Sequence, residues 1–223
     1  MNNDYKKFWK DNNSENWKCV WEQYKSQDSV QKNSKLEREM DEFNRNKVLL
    51  WTVEQFNTFM EKYFQWKYTA SNRYATTIKI YQEMSGFEKE LCLMYMKDFV
   101  KALDSKQDFE NKEEYIRAGF RFADLIPGLG TAGQSGLLSI LFPKKFGTVD
   151  QKVVTALERC GVNTGIPERR KESLLVKDGI LLEKIMINKA IELNKKSSSD
   201  FWTPRKVDQV LWVMGGKDYI LQS

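Results

Sequence analysis

Five large side chains in a row of nine set the strongest limit on this fold. Phe56, Phe59, Met60, Tyr63 and Phe64 follow the i, i+3, i+4, i+7, i+8 spacing that puts all of them on one face of an α-helix. Phe87, Leu91, Met94, Tyr95 and Phe99 do much the same, Tyr74, Ile78 and Tyr81 mark a shorter helix, and Tyr115, Ala118, Phe122 and Leu125 mark one that ends at the Pro127-Gly128 turn. Strand-like alternation is almost absent, and only four prolines and twelve glycines punctuate 223 residues. The expected fold class is all-α.

The two ends of the chain read differently. Phe8, Trp9, Trp17, Trp21 and Tyr24 crowd the first 25 residues, and a stretch rich in Lys, Glu, Gln, Ser and Asn runs from Ser26 to Asn46. Residues 1–50 are therefore expected to form an N-terminal aromatic helix and a polar helix or linker packed on the body, with residues 51–223 as the main helical domain. Lys195 to Asp200 reads as a loop. The last helix should start with Thr203 as N-cap and Pro204 at its first position, and stop at Gly215-Gly216.

Composition closes several functions. There is no histidine, which excludes Ser-His-Asp and Cys-His triads, HExxH zinc sites and imidazole bases. Cys19, Cys92 and Cys160 stand far apart, too few for a structural zinc site or an iron–sulfur cluster, and an odd number argues against a disulfide scaffold. The expectation is reduced thiols and neither zinc nor an iron–sulfur cofactor. The longest apolar run, Leu137 to Phe142, falls far short of the ~20 residues a bilayer span needs. The first residues lack the apolar core of a signal peptide. A soluble, cytoplasmic monomer without membrane attachment is expected.

The richest stretch runs from Ala123 to Cys160. Ile126-Pro127-Gly128-Leu129-Gly130 ends one helix and starts another, leaving backbone N–H groups uncovered at a helix N-terminus, a geometry suited to phosphate. An apolar helix follows, then Lys145-Phe146-Gly147-Thr148-Val149-Asp150 and a further helix with Val153, Val154, Ala156 and Leu157 on one face. The order of turn, apolar helix, loop and acid, with twenty residues from Gly130 to Asp150, resembles the helix-hairpin-helix DNA glycosylase superfamily of endonuclease-III-like and adenine-mismatch enzymes. The resemblance covers residues 115–160 directly and the flanking helices more loosely.

That resemblance implies an orthogonal multi-helix bundle and a double-stranded DNA partner. It implies that Asp150 faces the sugar of a flipped-out nucleotide, stabilises positive charge as the N-glycosidic bond breaks, and orients or deprotonates the attacking water. On its own terms Asp150 is also a good N-cap for the helix opening at Gln151, and the two roles are compatible. The resemblance further implies that Gly128, Gly130, Thr131 and Ala132 grip the DNA backbone with Lys144, Lys145 and Lys152 nearby. It also implies a K⁺ or Na⁺ ion gathered by carbonyls of the turn, with no metal held by side chains. Gln134 is the base-pocket candidate on this helix. Tyr68, Tyr74 and Trp66 are aromatic candidates, and Trp66-Lys67-Tyr68 with Asn72 puts polar atoms in an apolar neighbourhood.

The departures sharpen the chemistry. Bifunctional members carry a nucleophilic lysine where this chain has Ala132, so water-using, monofunctional cleavage is expected and lysine-based lyase activity at that position is not. The family's usual Thr-Ala at the next two positions is replaced here by Gly133-Gln134, and Gln134 and Gly136 alter the local packing that the resemblance implies. The chain carries 36 basic and 31 acidic residues, and the window Phe142–Lys171 holds seven basic against three acidic, so most of the net +5 falls beside the turn. The alternatives are a non-catalytic helix-hairpin-helix DNA-binding module and a protein-interaction adaptor acting through residues 1–25.

Overall fold

The computed structural model describes residues 3–43, 45–104 and 112–221, and among them there is no strand. Helices α1 (Asn3–Asp11), α2 (Ser14–Lys25) and α3 (Asp28–Glu42) lead through a 3-10 turn (Arg45–Leu50) into α4 (Val53–Lys67), α5 (Ser71–Gln82) and α6 (Gly86–Asp104). Then come α7 (Lys112–Asp124), α8 (Thr131–Leu141), α9 (Gln151–Arg159), a short 3-10 turn (Glu168–Arg170), α10 (Val176–Ser197) and α11 (Pro204–Met214). No helix among the described residues is long and apolar enough to cross a membrane.

Local chemistry accounts for the boundaries that the sequence predicts. The aromatic stripe of α4 is buried throughout, and Thr52 starts that helix with a capping box, its hydroxyl accepting from Gln55 N–H while the Gln55 side chain accepts from Thr52 N–H. Thr203 caps α11 by accepting from Lys206 N–H, Pro204 occupies the first turn, and Gly215 ends the helix. One boundary differs. The expected loop at Lys195 is helix as far as Ser197, with Ser198 (φ 48°) making the left-handed exit. Lys195 and Lys196 suit the negative end of the helix dipole, and Lys196 Nζ also reaches the Asp11 carbonyl at 2.6 Å.

Burial divides the interior into two apolar clusters. The first is built mainly from α4, α6, α7 and α8, with Phe56, Phe64, Met96, Phe120 and Leu138 at its centre. The second joins α1 and α2 to α9, α10 and α11 through Tyr5, Trp17, Val153, Leu182, Val207 and Leu211. Helix α10 serves both, giving Ile180 and Ile187 to one and Leu182 and Met186 to the other. The division between the cores does not follow chain order. Trp17 is fully buried against Phe8 and Trp202, so the N-terminal helices form one wall of the second core, while α3 packs on α4.

The segment between α8 and α9 is a strap between these cores. The chain turns at Phe142, whose carbonyl accepts from Lys145 and Phe146 N–H, and then runs back along α8. Thr148 Oγ1 meets Ser139 Oγ at 2.9 Å, and Val149 N–H donates to Ser135 Oγ at 2.9 Å. Gly147 N–H donates to Glu183 of α10 and Thr148 N–H to Asp208 of α11. Gly147 has no room for a side chain, because a Cβ there would lie 2.8 Å from Met186 Cε and 2.9 Å from the Pro204 carbonyl. The strap thus returns Asp150 to the side of α8.

Candidate active site

A cavity of about 290 Å³ opens where α3, the end of α4, the strap and α11 meet. Its size and mixed lining of aromatic and charged groups are those of a small-ligand site. Asp150 forms part of the wall. The residue is the N-cap of α9 and its Oδ1 accepts from Val153 N–H at 3.0 Å, while Oδ2 makes no hydrogen bond among the described residues. Capping holds one oxygen still and leaves the carboxylate open to the cavity.

Aromatic walls come from separate helices: Trp66 from α4, Trp212 from α11 and Tyr24 from α2. Trp66 Nε1–H donates to Glu37 Oε1 at 2.8 Å, and the Tyr24 and Trp212 rings meet edge-on at 5.8 Å. Burial pushes the Tyr24 hydroxyl up to about 12, so it stays protonated at neutral pH.

Two buried charges organise the floor. Arg205 donates to Thr148 Oγ1 at 2.8 Å, lies 3.4 Å from both Asp208 Oδ2 and Glu37 Oε1, and sits 5.3 Å from the centre of the Trp66 ring. Burial works against its charge, but Asp208, Tyr24 and Glu37 outweigh that and raise its pKa. Burial pushes Asp208 up to about 7, against the pull of Arg205 and of the Thr148 N–H, and the charge on Asp150 adds to the rise. Lys67, at the last position of α4, lines the same cavity. Burial lowers the pKa of its amine, Asp150 and Asp208 raise it, and Arg205 lowers it further.

The other sequence-predicted residues are distributed unevenly. Gly128 (φ 83°) makes the α7–α8 turn, and a Cβ there would lie 3.2 Å from Thr77 Cγ2, so α5 covers one side of the turn. Gly130 is exposed with nothing within 4 Å of a Cβ position, and it opens α8 without a side-chain cap. The N–H groups of Gly130, Thr131 and Ala132 find no acceptor among the described residues. Lys152 lies near the cavity, its Nζ 3.3 Å from the centre of the Trp212 ring. Lys144 and Lys145 are exposed at the other end of α8, about 15 Å along the helix from the turn.

Gln134 lies outside this cavity: it is buried, and its amide nitrogen donates to Asp124 Oδ1 at 2.8 Å and to the Leu129 carbonyl at 3.2 Å, bracing the turn from inside. Around the same turn the carbonyls of Leu125, Ile126 and Leu129 accept from Cys92 Sγ, Leu129 N–H and Gln134. The basic window Phe142–Lys171 is likewise largely consumed by the fold. Lys171 is buried between Glu158 and Glu168, Arg170 pairs with Asp178, and Arg159 donates to the Met214 and Gly216 carbonyls. Lys144, Lys145 and Arg169 remain exposed.

Glu37, Arg205 and Asp208 are charged cavity residues that the sequence pattern did not single out. The Trp66-Lys67-Tyr68 segment signals two wall residues, whereas Tyr68 and Tyr74 pack on the first core. The chain matches no protein-family model, no curated protein and no solved structure.

Proposed function

We propose that this protein is a monofunctional DNA N-glycosylase that hydrolyses the bond between a damaged or mismatched base and its sugar, with Asp150 as the catalytic carboxylate. The observation that carries the reading is that Asp150, fixed by capping α9 through one oxygen, lines an aromatic-walled cavity while its other oxygen makes no hydrogen bond among the described residues. In this reading α7, the turn and α8 form a helix-hairpin-helix of the glycosylase type. The free N–H groups of Gly130, Thr131 and Ala132, at the positive end of α8, hold a backbone phosphate of double-stranded DNA. The nucleotide is turned out of the duplex and its base enters beside Trp66 and Trp212.

Cleavage is driven by charge placement. Positive charge grows on the sugar as the C–N bond lengthens, and the Asp150 anion stabilises it and orients a water for attack. Ala132 leaves no amine at the hairpin position for covalent attack. No step requires a metal or an organic cofactor.

The test is base release from duplexes that each carry one lesion or mismatch from a broad panel, followed by mass spectrometry of the freed base. The native protein should release at least one base, and Asp150→Asn should slow that release by about 100-fold or more with duplex affinity largely kept. Duplex binding with no release from any duplex would leave the non-catalytic DNA-binding module as the correct reading, with Asp150 serving only as a cap.

A further inference from the structure

Asp150 accounts for only the sugar half of the proposed reaction. The base departs with the electron pair of the broken bond, and unless it already carries positive charge it needs a proton or a cation as it leaves. The chain has no histidine to supply one. Arg205 in the cavity is committed to Thr148, Asp208 and Glu37, and Lys152, outside its lining, rests on the face of Trp212. Asp208 is held by Thr148 N–H and Arg205, and Glu37 by Trp66 and Arg205. Lys67 makes no hydrogen bond, ion pair or ring contact among the described residues.

Its position is set by the approach of α4 to α8. Lys67 Nζ lies 3.2 Å from where a Cβ on Gly136 would stand, and the Tyr63 hydroxyl lies 2.9 Å from the same point. A side chain at position 136 would therefore collide with both. The absence of one lets the end of α4 lay its amine against the middle of α8. Asp150 and Lys67 line one cavity without forming an ion pair, which leaves space between anion and cation.

We propose that Lys67 is the general acid of this site, giving its proton to the departing base while Asp150 serves the sugar. The assignment rests on the glycosylase reading. In the step, the C1′–N bond breaks and its electron pair leaves with the base nitrogen. A Lys67 Nζ proton moves to the base, water oxygen bonds to C1′, and Asp150 takes the proton that water sheds. Lys67 then recovers a proton from solvent. Burial supports the role, because it moves the amine down from its ordinary range toward working pH, where a proton donor is most effective. Besides burial, Asp150 on the strap, then Arg205 and Asp208 on α11, set its titration, and Tyr63 on α4, Tyr24 on α2 and Glu37 on α3 are the other titratable groups lying against it or lining the same cavity.

The experiment compares leaving groups in single-turnover release. One duplex carries 7-methylguanine, which is already cationic and leaves neutral without a proton; the others carry hypoxanthine, uracil or 8-oxoguanine. Lys67→Met should slow release of a neutral base by about 100-fold and change 7-methylguanine release by less than about 3-fold. The alkaline fall of the neutral-base rate should also vanish in this variant. Lys67→Arg, which keeps the charge, controls for folding. Equal losses on both base classes, no loss on either, or release of 7-methylguanine alone by the native protein would overturn the assignment. So would a borohydride-trapped DNA adduct at Lys67, which would make the amine a nucleophile. If the native protein releases no base from any duplex, it is the glycosylase reading that has failed, and the acid falls with it.

Discussion

Arg205→Met is the substitution whose cost can be worked most fully from the structure. Methionine keeps much of the apolar stem that lies beside Trp66 but removes the cation paired with Asp208 and the bond to Thr148. Both members of the pair are buried, so the survivor cannot turn to water. At pH 8, where Asp208 (pushed up to about 7) is mostly ionised, breaking a buried pair should cost about 3–5 kcal/mol. At pH 5 Asp208 is protonated, so no buried anion is stranded, and the loss is that of the Arg205 contacts to Thr148 and Glu37 and of packing, about 1–2 kcal/mol. For a chain of this size these become drops in Tm of roughly 6–20 °C at pH 8 and 2–8 °C at pH 5. Thermal melts and guanidinium titrations at both pH values measure the difference, and a cycle with Asp208→Asn should return a coupling of about 1–3 kcal/mol at pH 8. A cost below about 1 kcal/mol that does not change with pH is the behaviour of an exposed pair, and would refute the buried network.

Other outcomes follow from single contacts. Asp208 has its folded pKa raised from 3.8 to about 7, so between those values the folded chain binds more protons than the unfolded one. Its contribution to stability is full below about pH 4 and is lost as pH rises through 7, and Asp208→Asn should flatten the stability curve across that window. Gly130→Asp places a favoured N-cap residue where nothing lies within 4 Å, so Tm should hold or rise while duplex affinity falls at least about tenfold from the added negative charge; unchanged binding by fluorescence anisotropy would remove the turn from the DNA interface. Gly147→Ala forces a methyl onto Met186 and the Pro204 carbonyl and should cost about 1–3 kcal/mol in guanidinium unfolding.

Short-range features were the legible ones. The stripe in α4, the Thr203-Pro204 start and Gly215 end of α11, and Asp150 at the head of α9 are each written within a few residues, because capping and helical period act over one or two turns. The cavity is different. Lys67 looks like an ordinary last-turn lysine, and its amine lies where it does beside Gly136, sixty-nine positions later, which has no side chain to crowd it. Arg205 and Asp208 lie one turn apart in α11 as a plain i, i+3 pair, and acquire their setting only when the strap brings Thr148 against them. Gln134 is the opposite case: its partners, Asp124 and the Leu129 carbonyl, are both close in sequence and use its amide to brace the turn. The basic window was similarly legible as charge, but not as Lys171 and Arg170 turned inward to acidic partners.

The most direct measurement is a crystal structure of Asp150→Asn bound to a duplex whose damaged base the native protein releases. The account predicts a nucleotide turned out of the helix, its base in the cavity beside Trp66 and Trp212, its sugar facing residue 150 and a phosphate on the N–H groups of Gly130, Thr131 and Ala132. A duplex seated on another face, with the cavity empty and the α7–α8 turn free of phosphate, would contradict it.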